Sequence, residues 1–101
     1  MEDAPIVATL KTRDVDRALT GKLGFEKAET HHHVYRLWLG GKLAARTYIS
    51  HGERELSPYQ VTAMAKQLRL DTAEFADAVT CPLGQADYYR LLRQRIPDLE
   101  P

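Results

Sequence analysis

Cysteine is almost missing from this 101-residue chain: Cys81 stands alone, so no internal disulfide can form and a zinc–thiolate cluster is excluded. Its setting, Thr80-Cys81-Pro82, has no histidine nearby in sequence, and the thiol reads as inert. Long apolar runs are missing too, and nothing approaches the length that crosses a bilayer. The opening MEDAPIVATL carries acids where a secretory signal carries basic residues. Together these absences lead us to expect a cytoplasmic chain with no membrane partner. Internal repeats, low-complexity tracts and linkers are also lacking. With 44% hydrophobic and 28% charged residues, the composition suits one folded domain with a modest core rather than a disordered chain.

Net charge is the last absence: fourteen basic residues balance fourteen acidic ones. A zero total argues against a nucleic-acid partner, but the average conceals an asymmetry. Residues 31–69 hold six basic side chains against two acidic, together with all four histidines. A local basic face attracts a polyanion more directly than total charge does. Fluctuations of this size are common over forty residues, so charge alone decides nothing.

Hydrophobic spacing supplies the elements. Residues 11–23 read as a helix capped by Thr12, with Val15, Ala18, Leu19 and Leu23 on one stripe and Gly24 as its stop. Residues 25–29 form a short strand. Residues 32–39 and 42–50 then make a hairpin about a two-residue Gly40-Gly41 turn. Counting out from that turn pairs Leu39 with Lys42, Trp38 with Leu43 and His32 with Ile49. It places His32, Val34, Trp38, Leu43, Ala45 and Ile49 on one face, and His31, His33, Tyr35, Arg46 and Tyr48 on the other. Ser57 and Pro58 start the next helix, with Val61, Met64, Ala65 and Leu68 facing inward. A further helix follows Asp71 or Thr72 and presents Phe75 and Val79. Residues 85–95 form the last helix, with Tyr88, Leu91 and Leu92 as its apolar set. The order is α-β-β-β-α with helical additions, an α+β domain built on a small antiparallel sheet.

The histidines raise three readings. His31 and His33, two apart on a strand, are a known metal-binding geometry, but Glu29 is the one carboxylate near them on that face and no third ligand is evident. A solvated polar strand is the plainer reading. Acid–base chemistry is the third, because imidazole titrates near neutral pH. Tyr35, Tyr48 and Trp38 are able to stack unpaired bases, and Lys42, Arg46 and Arg54 to bind phosphates. Residues 57–78 also have the outline of a helix-turn-helix. The second of its helices, TAEFADAV, carries two acids and no basic residue, which argues against reading DNA.

The motifs combine in a recognisable order. Arg17-Ala18-Leu19, Lys22-Leu23-Gly24-Phe25 and His32-His33-Val34-Tyr35-Arg36 come first. His51-Gly52, Arg54-Glu55-Leu56, Ser57-Pro58 and Met64-Ala65-Lys66-Gln67-Leu68 follow. This succession resembles the HicA mRNA-interferase toxins over roughly residues 10–79. The resemblance implies a fold like the double-stranded RNA-binding domain (dsRBD), with two helices on one face of a three-stranded sheet. It divides the chain into a HicA-like domain, residues 1–79, and a C-terminal helical extension, residues 80–101. It further implies a toxin that acts as an RNA endonuclease without a metal or other cofactor, held in check by a HicB-like antitoxin. The family's catalytic histidine falls on His32, and the matching His-Gly makes His51 a possible supporting residue. Two other expectations stand beside it: a relative of the same fold that binds RNA or protein without cleaving, and an interaction module that homodimerises through its last helix.

Overall fold

A computed structural model describes residues 10–80 and 82–97; the acidic opening segment and Cys81, both singled out above, lie outside the described residues. The chain enters as a two-residue strand, β1 (Leu10–Lys11), and turns at once into α1 (Thr12–Arg17). The helix then widens into a π-helical turn, Ala18–Lys22, in which the Leu23 N–H reaches the Ala18 carbonyl at 2.9 Å. Thr12 does not cap this helix. Its hydroxyl donates to the carbonyls of Glu53, at 2.8 Å, and Arg54, at 3.1 Å, because β1 pairs with a second two-residue strand, Glu55–Leu56, that the sequence pattern did not disclose.

Gly24 ends the helix at φ +83°, in the left-handed region. The Tyr89 hydroxyl donates to the Leu23 carbonyl at 2.8 Å, and a Cβ on Gly24 would meet that same hydroxyl at 2.8 Å. The freed carbonyls of the helix end are thus satisfied by the last helix, and the close approach depends on glycine.

Three strands form the main sheet: β2 (Glu26–Glu29), β3 (His32–Leu39) and β4 (Lys42–Ser50), antiparallel and in chain order. Gly40 and Gly41 both take positive φ, as a primed turn requires. The turn fixes Leu39 opposite Lys42 and Trp38 opposite Leu43, as counted from the sequence. Beyond that the count fails. A bulge between Leu37 and Trp38 puts Leu37 opposite Ala45, so that His33, not His32, faces Ile49.

The bulge has a physical reason. Tyr35 and Leu37 point into the core, and their partners must be the inward residues of β4. A strict count from the glycines would turn Ala45, Thr47 and Ile49 to the opposite side. One extra residue among the small, buried Ala44 and Ala45 restores the match. The two faces expected from the sequence are therefore re-dealt. Lys27, Glu29, His33, Tyr35, Leu37, Ala45, Thr47 and Ile49 share the inner face, while Glu26, His32, Val34, Arg36, Trp38, Leu43, Arg46 and Tyr48 share the outer one.

With Glu55–Leu56 numbered β5, the chain continues into α2 (Pro58–Gln67), α3 (Thr72–Thr80) and α4 (Gln85–Arg95). Ser57 and Gln60 close a capping box on α2, and Asp71 and Glu74 close another on α3. Thr47, fully buried on the inner face, donates to Gln67 at the end of α2 at 2.6 Å. The core takes Val15, Leu19 and Leu23 from the first helix, Tyr35, Leu37 and Ile49 from the sheet, and Val61, Leu68, Phe75, Tyr88 and Leu92 from the other helices. Of the apolar residues of α4, Tyr88 and Leu92 are buried in this core and Leu91 packs partly buried against it. The architecture is α+β, a three-stranded antiparallel sheet with its helices packed on the inner face.

Candidate functional site

The outer sheet face carries an unusual set of side chains. Trp38, Leu43 and Tyr48 are 50%, 46% and 41% exposed, although residues of this kind usually seek cover. His32 is exposed and stacks on Tyr48, ring centroids 4.9 Å apart. Neither nitrogen of the His32 ring has a hydrogen-bond partner among the described residues. Val34 alone on this face is buried, between its cross-strand partners Ala28 and Tyr48.

Arg36 and Arg46 stand directly opposite each other across β3 and β4. Like charges in that position repel, and neither guanidinium makes an ion pair or hydrogen bond with a described residue. Glu26 lies across from Arg36 on the β2 side, but its carboxylate accepts from the Trp38 indole N–H at 3.3 Å instead. The strands thus hold two cations, neither ion-paired with a described residue, beside exposed aromatic rings.

The inner face has a second polar group, where Asp16 of α1 meets the sheet. Lys27 Nζ lies 2.8 Å from Asp16 and 3.4 Å from Glu29. The Tyr35 hydroxyl donates to Asp16 at 2.7 Å. His33 Nδ1 is 2.6 Å from Glu29, and the His33 and His51 rings meet edge to face with centroids 4.1 Å apart. His51 Nε2 lies 3.0 Å from the Thr30 carbonyl. Desolvation opposes ionisation of Asp16 and Glu29, but their bonds to Lys27, Tyr35 and His33 outweigh it and hold both carboxyls below the usual range. The Asp16 bond holds the Lys27 ammonium above its ordinary value. Burial, helped by Asp16, pushes the Tyr35 phenol well upward.

The residues picked out from the sequence divide between these places. His32, Arg46 and Tyr48 share the outer face, with His32 stacked on Tyr48 and Arg46 opposite Arg36, and Lys42 is exposed at the hairpin tip. Tyr35 does not join them. At 1% exposure, with its hydroxyl committed to Asp16, its ring is closed to a stacking base. Arg54 lies near Lys11 and Arg13 at the β1–β5 ribbon, in a separate depression. His51 meets His33 rather than His32, because the bulge reverses its side of the sheet. His31 occupies the bend between β2 and β3, outside the strand. Two residues escaped the sequence reading: Arg36, whose significance depends on its partner across the hairpin, and His33 as the neighbour of His51. A depression of about 720 Å³ between α1 and the end of α3 contains none of the site residues picked out from the sequence.

No family model, no curated protein and no solved structure matches this chain.

Proposed function

We propose that this chain is a HicA-like RNA endonuclease domain in which the outer sheet face receives single-stranded RNA and His32 acts as general acid and base. The observation that carries the reading is the opposed, unpartnered Arg36–Arg46 pair between exposed Trp38 and Tyr48. A phosphate lying between two guanidiniums accepts charge-assisted hydrogen bonds from both and removes their repulsion. Bases on either side of it find aromatic ring faces to stack on, a contact available to any base. The helices on one side and the open sheet on the other support a dsRBD-like arrangement for the domain.

The chemistry asks little of the protein beyond position and proton transfer. A base takes the proton from a ribose 2′-hydroxyl, the oxygen attacks the adjoining phosphorus, and an acid protonates the departing 5′-oxygen. His32 is suited to both transfers in turn, since the Tyr48 stack steadies its ring and leaves both nitrogens open. Arg36 and Arg46 stabilise the charge that builds on the phosphoryl oxygens. No metal or other cofactor enters these steps. A HicB-like antitoxin covering the same cationic face, in the cytoplasm, completes the reading.

A second reading rests on one observation. His51 is turned to the inner face, so among the described residues His32 has no second imidazole beside it. An RNA-binding face without turnover fits that geometry. Tightly controlled expression of wild type and His32→Ala, with growth and total RNA integrity recorded, separates the two. Growth arrest and RNA loss that disappear in a folded His32→Ala variant establish the nuclease. Intact RNA, together with salt-sensitive binding of a labelled single strand, favours the binding face. Absence of both cleavage and binding overturns the proposal.

A further inference from the structure

We propose that Glu29, His33 and His51 form a site for a divalent late first-row transition-metal ion, zinc or nickel, separate from the RNA face. Each offers one donor atom, and the three atoms lie within 4.8 Å of one another. They come from the end of β2, the start of β3 and the residue after β4, segments that only the folded sheet brings together. Glu29 and His33 lie on the inner side and the His51 ring meets His33 there, whereas His32 lies on the outer side. The site is therefore independent of the nuclease reading and survives its failure.

The donor set selects the metal. Two imidazoles and one carboxylate suit zinc, nickel and cobalt, while magnesium and calcium prefer oxygen alone. The hydrogen bonds prepare the ligands. His51 Nε2 faces the Thr30 carbonyl at 3.0 Å and so carries the ring proton, leaving Nδ1 with a free lone pair. A backbone carbonyl on the non-ligating nitrogen is the usual support of a metal-bound histidine. Glu29 Oε1 already approaches His33 Nδ1 at 2.6 Å, so the metal takes the place of a shared proton.

Lys27 is the obvious objection, as a cation beside a cation site. It contacts the other Glu29 oxygen, Oε2, at 3.4 Å, and approaches Asp16 more closely at 2.8 Å. Asp16 thereby balances Lys27 and leaves the Glu29 charge for the metal. Three protein ligands leave at least one coordination position open. The half-exposed site opens toward a polar depression of about 180 Å³ lined by Asp16, Lys27, His33, Tyr35 and Glu53, where water or a small anion completes the shell.

Isothermal titration of tag-free protein with zinc chloride and nickel chloride tests the site, with the visible spectrum of the cobalt complex as a second readout. Binding at one ion per chain is expected, at least tenfold weaker in each of Glu29→Gln, His33→Ala and His51→Ala. Magnesium gives no heat. His31→Ala and His32→Ala control for the run of three histidines and leave affinity within twofold of wild type. Should His33→Ala fail to fold, Glu29→Gln and His51→Ala, both at exposed positions, decide the question. No zinc binding, binding unchanged in His51→Ala, or binding lost in His31→Ala overturns the proposal.

Discussion

Arg46→Glu ought to make this protein more stable and, on the proposed reading of the outer face, less able to hold RNA. Arg36 and Arg46 face each other across an antiparallel pair, and neither makes an ion pair with a described residue. Opposed like charges cost a few tenths of a kcal/mol, and an opposed Arg–Glu pair returns a similar amount. The reversal should therefore gain about 0.5–1 kcal/mol, less a little for glutamate's weaker strand preference. For a domain of this size that raises Tm by roughly 2–8 °C. Because the gain is electrostatic and near the surface, it shrinks as salt is raised toward ~0.5 M. RNA responds in the opposite sense. Loss of one phosphate contact lowers the slope of log affinity against log salt by about 0.7 for a single strand. Reversing the charge weakens binding by at least about tenfold, or about 1.4 kcal/mol. Thermal unfolding at two salt concentrations and fluorescence anisotropy with a labelled oligoribonucleotide measure both arms. A variant that binds RNA with the wild-type salt slope refutes the proposed phosphate contact at Arg46. One that is less stable than wild type at low salt refutes the repulsion on which the reasoning rests.

Three further outcomes follow from the packing. Gly24→Ala should destabilise by roughly 2–3 kcal/mol, since it combines left-handed backbone with a Cβ 2.8 Å from the Tyr89 hydroxyl; a thermal-melt loss below about 0.5 kcal/mol contradicts this. Thr47→Val keeps the buried shape but removes the 2.6 Å bond to Gln67, and urea unfolding should show a loss of about 1 kcal/mol. Arg95 bonds both Glu74 oxygens at 2.8 Å and, aided by the Asp71 N–H, holds that carboxyl down to about 2. A folded-state value below the ordinary 4.5 means the pair's stabilisation is whole above pH 4.5 and lost as pH falls toward 2. Arg95→Met should cost about 1 kcal/mol at pH 7, and the gap to wild type should at least halve by pH 2, the remainder being the Arg95 bond to the Arg69 carbonyl. A gap that does not change with pH contradicts the assignment.

Local signals set much of the fold. Gly40-Gly41 dictated the primed turn, Ser57-Pro58 the start of α2, and Gly24 the end of the first helix. Each acts through the conformational limits of the chain within a few residues. The last helix and both hairpin strands lie where hydrophobic spacing placed them. Thr12 shows the limit of such reasoning. Its capping preference was real, but the Glu53 and Arg54 carbonyls, more than forty residues away, claimed its hydroxyl.

The face of each strand residue was not legible, and the proposed function turns on it. β3 reads HHVYRLWL, with apolar side chains at both parities, so alternation alone cannot choose its inner side. Only the packing of Tyr35 and Leu37 against the helices chose it. The two alanines of β4 then absorbed the extra residue needed to turn Ala45, Thr47 and Ile49 inward. That single bulge turned Arg46 and Tyr48 to the face of His32, and left His51 beside His33. By itself the sequence determined that a basic, histidine-rich hairpin would form, because turn chemistry and strand preference are local. Which histidine meets which partner was decided by the core, because one residue of register reverses every side chain and only burial across the whole domain is strong enough to set it.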